Sequence, residues 1–469
     1  MKKLHFPSVY TILYCLIAII AGLTWIVPAG QYQMVENELL GKLTPVAGTY
    51  AQVAATPQGL IDIILAPIQG FYDPATNQAR SIDVALFVLI IGGFFGVVNK
   101  TGAIESGIYQ ITQRMRGKEL WMIPTLMAIF ALGGTIFGMS EETIPFYTLV
   151  IPIMIAARFD SITGVAVVMI GAGIGVLGST INPFATIIAS NAAQISFTDG
   201  IGLRVVMLVL GYLLCSGYVM RYAKRVRLDP RNSYVYQDKE ANEAHFLHNA
   251  SGENHSALNL QQKLVLMVLV ITFAIMIWGV SFANWWMGEI SGLFLVAAII
   301  AGIVARLGEE QTGISFVEGA RELLGVAIII ALARGIVVIM DDGNISHTLL
   351  HYAQGLISDL PPVIFVNAIY WAEAALAFLI PSSSGLAVLS MPVMAPLADF
   401  NQVPRELVVT AFQAASGLPN LVTPTSAVVM GGIALGRVSY INWLRFIGPL
   451  IGMLMLLVMG LLSIGVLIS

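Results

Sequence analysis

The feature that most constrains this chain is a pair of polar interruptions inside long apolar runs, Gly138-Met139-Ser140-Glu141-Glu142-Thr143 and Gly178-Ser179-Thr180-Ile181-Asn182-Pro183. Lipid offers backbone N–H and C=O groups no partner, so irregular backbone at membrane depth must be buried in protein or line a wet cavity. Any fold the chain adopts therefore has to wrap these breaks in other helices. The chain is 57% hydrophobic and 11% charged, against roughly 25% charged residues in soluble domains, so the apolar runs read as membrane segments. A formal net charge of -4 supplies no basic surface for nucleic acid, and that class of partner is excluded. Cys15 and Cys215 lie inside apolar runs, which predicts packed thiols rather than a disulfide.

In chain order, Lys2 and Lys3 precede an apolar run over 9–27. It exceeds the apolar core of a signal peptide, about 7–15 residues, and reads as a first membrane helix with a cytoplasmic N-terminus. Residues 31–55 are polar and suit the outer face. Leu60, Ile63, Ile64, Ile68 and Phe71 recur at helical spacing in a stretch too short to cross, as in an interfacial helix. Residues 81–98 cross back to Lys100, Arg114, Arg116 and Lys118, a cluster that the positive-inside rule assigns to the cytoplasm; the flanking 104–115 is amphipathic. The runs 121–137 and 144–157 then flank the Glu pair as arms of a hairpin re-entering from the cytoplasm. A helix over 162–191 is broken at Gly178 to Pro183, and 204–219 returns inside.

The basic stretch 221–231 opens a polar linker that runs to residue 259; its His245, His248 and His255 lack the acid or Cys companions of a metal site. Residues 260–282 and 290–304 are crossings, 306–321 a short interfacial helix, 322–340 a crossing with Arg334 at depth, and 345–356 another interfacial helix. The opening pattern then recurs. Apolar runs over 367–380 and 386–397 flank Pro381-Ser382-Ser383-Ser384-Gly385, and a second broken helix over 407–435 is interrupted from Gly417 to Ser426. The last crossing, 443–467, puts the C-terminus outside. Laid on each other at an offset of about 240 residues, the halves match Ile151-Pro152-Ile153-Met154 to Met391-Pro392-Val393-Met394 and bring Pro183 near Pro424. By the charge rule the first hairpin opens inward and the second outward. Inverted repeats with interrupted helices mark a transporter site near the bilayer midplane.

The strings Gly138-Met139-Ser140-Glu141-Glu142-Thr143-Ile144-Pro145-Phe146, Leu177-Gly178-Ser179-Thr180-Ile181-Asn182-Pro183-Phe184-Ala185 and Gly417-Leu418-Pro419-Asn420-Leu421-Val422-Thr423-Pro424 resemble those of the YfcC family. That family is similar to the anaerobic four-carbon dicarboxylate carriers and belongs to the wider ion transporter superfamily; the resemblance covers nearly the whole chain. It implies a dimerising scaffold, a transport domain of hairpins and broken helices, and elevator-type movement. On that plan, 1–118 and 260–360 form the scaffold, 119–221 and 361–469 the transport domain, and 222–259 the cytoplasmic linker of a homodimer in the bacterial inner membrane. Family members carry the label of basic amino-acid antiporters, and relatives include arginine/ornithine exchangers. The dicarboxylate carriers have Ser, Thr or Gly at the first hairpin tip where this chain has Glu141 and Glu142, a departure that points away from a dicarboxylate.

The chemistry of the breaks leads the same way. A carboxylate near the bilayer centre costs several kcal/mol unless paired or neutralised, so Glu141 and Glu142 call for Na+, a titrating proton, or the guanidinium or ammonium of a substrate. The competing reading has one Glu bracing the hairpin while the other sits in water at its mouth. Candidate substrate-binding residues are Ser140, Glu141, Glu142, Thr143, Asn182, Ser382, Ser383, Ser384, Asn420, Thr423 and Arg334. Candidate Na+ ligands are Ser179, Thr180, Asn182, Asn420 and Thr425, which offer hard oxygen donors, while half-helix N-termini attract a substrate carboxylate. Arg334 would pair with that carboxylate, with a hairpin Glu or with buried carbonyls, in a gating or interface role. Glu373 reads as snorkelling outward. Gly173-Ile174-Gly175-Val176-Leu177-Gly178 matches the dinucleotide fingerprint formally, but with no preceding strand it predicts close helix packing.

The expected architecture is all-α: about nine crossings, two re-entrant hairpins, two discontinuous helices and several interfacial helices. The expected function is secondary transport of basic amino acids, by exchange or coupled to Na+ or H+. A Na+-coupled carrier of organic anions such as dicarboxylates is the alternative, and an ion channel a remote one. No HExxH string and no Ser/His pair at membrane depth supports an intramembrane enzyme.

Overall fold

The computed structural model describes residues 9–37, 42–104, 106–107, 110, 117–247, 259–283, 285–358 and 360–469. Lys2, Lys3, Arg114, Arg116, His248, His255 and most of the amphipathic 104–115 stretch lie outside the described residues. The chain is helical throughout apart from two small antiparallel pairs in the polar segment after the first helix: Gly30–Gln31 with Ala51–Gln52, and Met34–Asn37 with Lys42–Pro45. These strands correct a strictly all-α reading. They are pinned to the helix Ser346–Ile357, where Tyr50 stacks on His351 at 4.0 Å and Tyr32 N–H donates to His347 Nδ1 at 3.1 Å.

Nine helices among the described residues are long and apolar enough to cross a membrane. The number agrees with the expected crossings, but the membership differs. Six are expected crossings; the other three are hairpin arms, Glu119–Ile136, Pro362–Leu379 and Ser383–Phe400. The first helix, Val9–Leu23, is shorter than a full span, and the remaining two expected crossings are the broken helices.

Helices fall into two packed groups. In one, the helix Glu309–Asp342 runs through the middle, with Val9–Leu23, Leu60–Phe71 and Ile82–Lys100 packed against it and Met287–Ala305 beside Ile82–Lys100. Its 34 residues span about 51 Å at 1.5 Å per residue. This corrects the split into an interfacial helix and a crossing at residue 321: Glu318, Arg321 and Glu322 colour one face, and neither Pro nor a capping Gly interrupts the ladder there. A continuous helix tolerates a charged face wherever water or headgroups meet it.

The second group holds the hairpins and broken helices. The first hairpin has arms Met122–Phe137 and Ile144–Ala156, and the helix Ser161–Leu177 packs on both. The second has arms Pro362–Leu379 and Ser383–Phe400, with Arg405–Gly417 packed on both in the same way. Small residues let the first set close up. A Cβ on Gly175 would lie 2.2 Å from Ala131 O, and one on Gly134 2.3 Å from Ala172 O, which is close helix packing at the sequence that mimics a dinucleotide fingerprint. The helix Leu260–Phe282 packs on Met287–Ala305 in the first group, and Phe146 bridges the two groups, its ring 5.2 Å from Phe130 and 4.5 Å from Phe273.

The linker starts later than its charge suggests, because Ile201–Leu228 is one helix that continues past residue 221. Asp160 then collects the chain that follows: Thr163 N–H and Oγ1 donate at 2.9 and 2.7 Å, Tyr222 and Ser233 hydroxyls at 2.6 Å each. A short helix, Lys239–Phe246, follows. Neither cysteine is in a disulfide; Cys215 is packed as expected, whereas Cys15 is exposed.

Candidate functional site

Both hairpin tips and both helix breaks meet at one cavity of about 340 Å³, within the size range of small-molecule sites. The geometry begins at Gly138, which ends the first arm in the left-handed region at φ 73°. A Cβ there would also sit 2.5 Å from Asn182 Oδ1, so only glycine lets the tip fold against the first break. The chain then turns through a single 3-10 turn, Glu141–Thr143, before the second arm starts.

The Glu pair divides. Glu142 is 5% exposed and its Oε2 accepts the Ser140 N–H at 3.0 Å, bracing the turn it sits in. Thr143 is buried and donates to Ser140 O at 2.6 Å. Glu141 faces the cavity and is half-buried. Both halves of the competing structural reading thus have a counterpart here: one Glu is a brace and the other borders the space a ligand would fill.

Ser140, Glu141, Glu142, Thr143 and Asn182 line the cavity from the first half of the chain. Ser382, Ser383, Ser384, Asn420 and Thr425 line it from the second, and Arg334 from the long helix. Thr423 stands behind that wall: it pairs with Thr425 at 2.7 Å and donates to Phe378 O at 3.2 Å. Ser179 and Thr180 are withdrawn as well. Thr180 N–H donates to Thr135 Oγ1 at 3.0 Å, and Ser179 pairs with Thr186 at 2.7 Å. These three hydroxyls are paired with Thr425, Thr186 and Thr135 respectively, so the structure does not bring them to the cavity with the rest. No group of three or more His, Cys, Asp or Glu side chains poised for a metal occurs among the described residues.

Two residues that sequence reasoning passed over, Gln413 and Arg80, matter, and a third, Glu373, is not where it was expected. Gln413, fully buried, accepts from Thr186 Oγ1 at 2.7 Å and donates to Ser179 O at 2.8 Å, so it ties the first break to the helix leading into the second. Arg80 lines the cavity beside Ser81; it donates to Gln69 O at 3.1 Å and pairs with Asp73 at 3.5 Å. Its only sequence signal was a lone charge at the start of a crossing. Glu373 does not snorkel: it is 0% exposed, inside the second hairpin and away from the cavity.

Electrostatically the cavity is two-sided. Arg80 and Arg334 reach it from the first group of helices, and Arg334 makes no ion pair within 4.0 Å among the described residues. The N-terminal ends of Ser383–Phe400 and Ala427–Leu435 also open onto it, adding partial positive charge. Glu141 and the C-terminal ends at Gly138 and Gly417 supply the negative side. Asn420 donates to Ser416 O at 2.8 Å while its Oδ1 is buried without a partner among the described residues, a free acceptor on the cavity wall.

The chain is 33% identical to an uncharacterised protein of Haemophilus influenzae, over 97% of this chain and 96% of that one. It is 30% identical to the Escherichia coli protein named "Putative basic amino acid antiporter YfcC", over 97% of this chain and 95% of that one. Among solved structures it matches Neisseria gonorrhoeae MtrF, whose report concerns a class of antimetabolite efflux pumps, with 14% identity, a TM-score of 0.43 and coverage of 99% and 96%; that likeness is too low to carry an argument. The family model for C4-dicarboxylate anaerobic carriers matches residues 6–467, and the chain belongs to that family of membrane transporters.

Proposed function

We propose that the protein is a secondary transporter of basic amino acids such as arginine or ornithine, which it exchanges or imports through the cavity between the hairpin tips. The observation that carries this reading is the two-sided cavity: Glu141 on one tip, Arg334 on the long helix and Arg80 in the loop just before Ile82–Lys100. An α-carboxylate suits the arginines and the helix N-termini, and a side-chain guanidinium or ammonium suits Glu141. The name of the Escherichia coli relative supports the same class. Ser382, Ser383, Ser384, Asn420 and Asn182 would complete the polar wall. Na+ or H+ is the coupling ion in modes that are not pure exchange, with Thr425, Asn182 and Asn420 the cavity-lining oxygen donors for Na+.

The movement fits an elevator in the inner membrane: hairpins and broken helices as the moving body, the group around Glu309–Asp342 as a homodimeric scaffold. An inverted repeat is supported by matched contacts. Thr180 meets Thr135 on the first arm of its hairpin, and Thr423 meets Phe378 on the first arm of the other, at the same offset of about 240 residues that relates the two halves. On this topology the N-terminus is cytoplasmic and the C-terminus outside, and a C-terminal reporter that fluoresces only in the cytoplasm is expected to stay dark.

A second reading, uptake of a C4-dicarboxylate, is favoured by Arg80 and Arg334 together with the family description. Counterflow in reconstituted vesicles separates the two. Labelled arginine is expected to exchange in the wild type and not in Glu141→Gln; succinate uptake that persists in Glu141→Gln, with no arginine exchange in the wild type, sinks the amino-acid reading.

A further inference from the structure

We propose that Glu373 is a neutral carboxylic acid sealed inside the second hairpin and that it carries the proton by which this transporter is coupled to a pH gradient; the coupling half of this rests on the transport reading above. Glu373 sits on the first arm, Pro362–Leu379, and is fully buried. Its Oε2 lies 3.1 Å from Ser390 Oγ on the second arm, and Ser390 Oγ lies 2.9 Å from Leu386 O. Glu373 Oε1 has no hydrogen-bond partner among the described residues.

Counting protons decides the state. The Ser390 hydroxyl has one proton for two acceptors. As a carboxylate, Glu373 would hold a full charge at membrane depth on at most that one hydrogen bond, with its second oxygen bare, where an unpaired buried charge is strongly unfavourable. As an acid, its O–H donates to Ser390 Oγ, whose own O–H donates to Leu386 O, so both distances are used and no charge remains. The elements packed on this arm offer no counter-ion. His347, His351 and Tyr352 lie on Ser346–Ile357, and Tyr440 and Arg445 on the last helix; none pairs with Glu373. Arg405 is committed to Asp399 at 2.5 Å, Glu406 has the same charge sign as an ionised Glu373, and Tyr370 on the same arm has a hydroxyl without a partner among the described residues.

The acid therefore latches one arm of the second hairpin to the other. Releasing its proton to water draws the one Ser390 hydroxyl proton away from Leu386 O and leaves a buried charge that must reach solvent, so ionisation and opening of the hairpin occur together. Protonation from the opposite side restores the latch, and one proton moves with each opening and closing.

Full-length protein in phosphatidylethanolamine/phosphatidylglycerol vesicles gives two readouts. In infrared difference spectra at neutral pH, wild type minus Glu373→Gln, the carbonyl stretch of a neutral carboxylic acid is expected, moving on deuteration. Ser390→Ala removes the acceptor and is expected to shift that band. No such band in the difference spectrum, or no shift in Ser390→Ala, overturns the neutral acid. In the second readout, a gradient of one pH unit, about 1.36 kcal/mol, supports about tenfold accumulation at one proton per cycle. The probe is whichever of labelled arginine or succinate the wild type takes up, so failure of the amino-acid reading leaves the test intact. Accumulation is expected to follow the gradient in the wild type and to ignore it in Glu373→Gln; accumulation that still follows it there overturns the coupling role.

Discussion

The two hairpin tips occupy corresponding places around one cavity and are built from opposite chemistry. The first is Gly138 to Thr143: a left-handed glycine, a 3-10 turn and two carboxylates, one of them spent on bracing its own turn. The second is Pro381 to Gly385: no acid, a helix N-terminus with Ser382 Oγ accepting the Gly385 N–H at 3.2 Å, and Ser383 paired with Ser416 at 2.6 Å. A symmetric pair of tips would present one kind of group twice. Here one tip supplies negative charge and the other supplies hydroxyls and the positive end of a helix, so the cavity presents unlike chemistry at its two ends. The constraints differ as well: both tips carry side-chain hydrogen bonds, but only the first also depends on a left-handed glycine, Gly138, packed on Asn182.

The largest break in that comparison is Glu141→Gln. It is expected to weaken arginine exchange about 100-fold, close to 3 kcal/mol, since a charged partner is lost from a desolvated site; exchange within threefold of wild type would erase the functional difference between the tips. Gln413→Ala leaves Thr186 and the Ser179 carbonyl without their buried partner and is expected to cost about 2 kcal/mol of stability, read as a lower thermal midpoint in detergent. Gly138→Ala against Gly385→Ala tests the difference in constraint directly. The first forces alanine into φ 73° against Asn182, for about 1.5 kcal/mol, whereas Gly385 lies in an ordinary helical turn where a Cβ would press only on the movable Ser382 Oγ at 3.1 Å, and its substitution is expected to cost clearly less. Equal losses would show that the first tip is no more constrained than the second. Last is Ser383→Ala, which removes one hydroxyl pair from the cavity wall and is expected to cost about 1 kcal/mol and to weaken exchange far less than Glu141→Gln.

Much of the site was legible because its residues violate the rules of their surroundings. Glycine, proline, hydroxyls and acids grouped inside apolar runs are costly in lipid, and the groups at 138–143, 178–183, 381–385 and 417–426 all surround the cavity. Single polar residues were harder to place. Glu373 in an apolar helix reads as snorkelling outward, and the opposite holds because of the rotation of Pro362–Leu379 against its neighbours. Arg80 and Arg334 lie in distant parts of the chain and share a cavity only because Leu60–Phe71 and Ile82–Lys100 pack on the long helix. Among the hydroxyls, Thr425 and Thr423 differ by two positions and both donate to Phe378 O, at 2.7 and 3.2 Å, yet only Thr425 also borders the cavity, a difference that no composition argument reaches.

The sequence by itself determined a polytopic membrane chain and the positions of both hairpins and both breaks, because hydropathy and helix-breaking chemistry act locally and leave their mark within a few residues. Only the tertiary structure decided that Glu142 braces while Glu141 faces the cavity, that residues 309–342 form one helix, and that Glu373 is sealed against Ser390 rather than turned to lipid. Those outcomes depend on which helix face meets which neighbour. That is a long-range packing choice, and a single polar residue in an apolar run carries no local record of it.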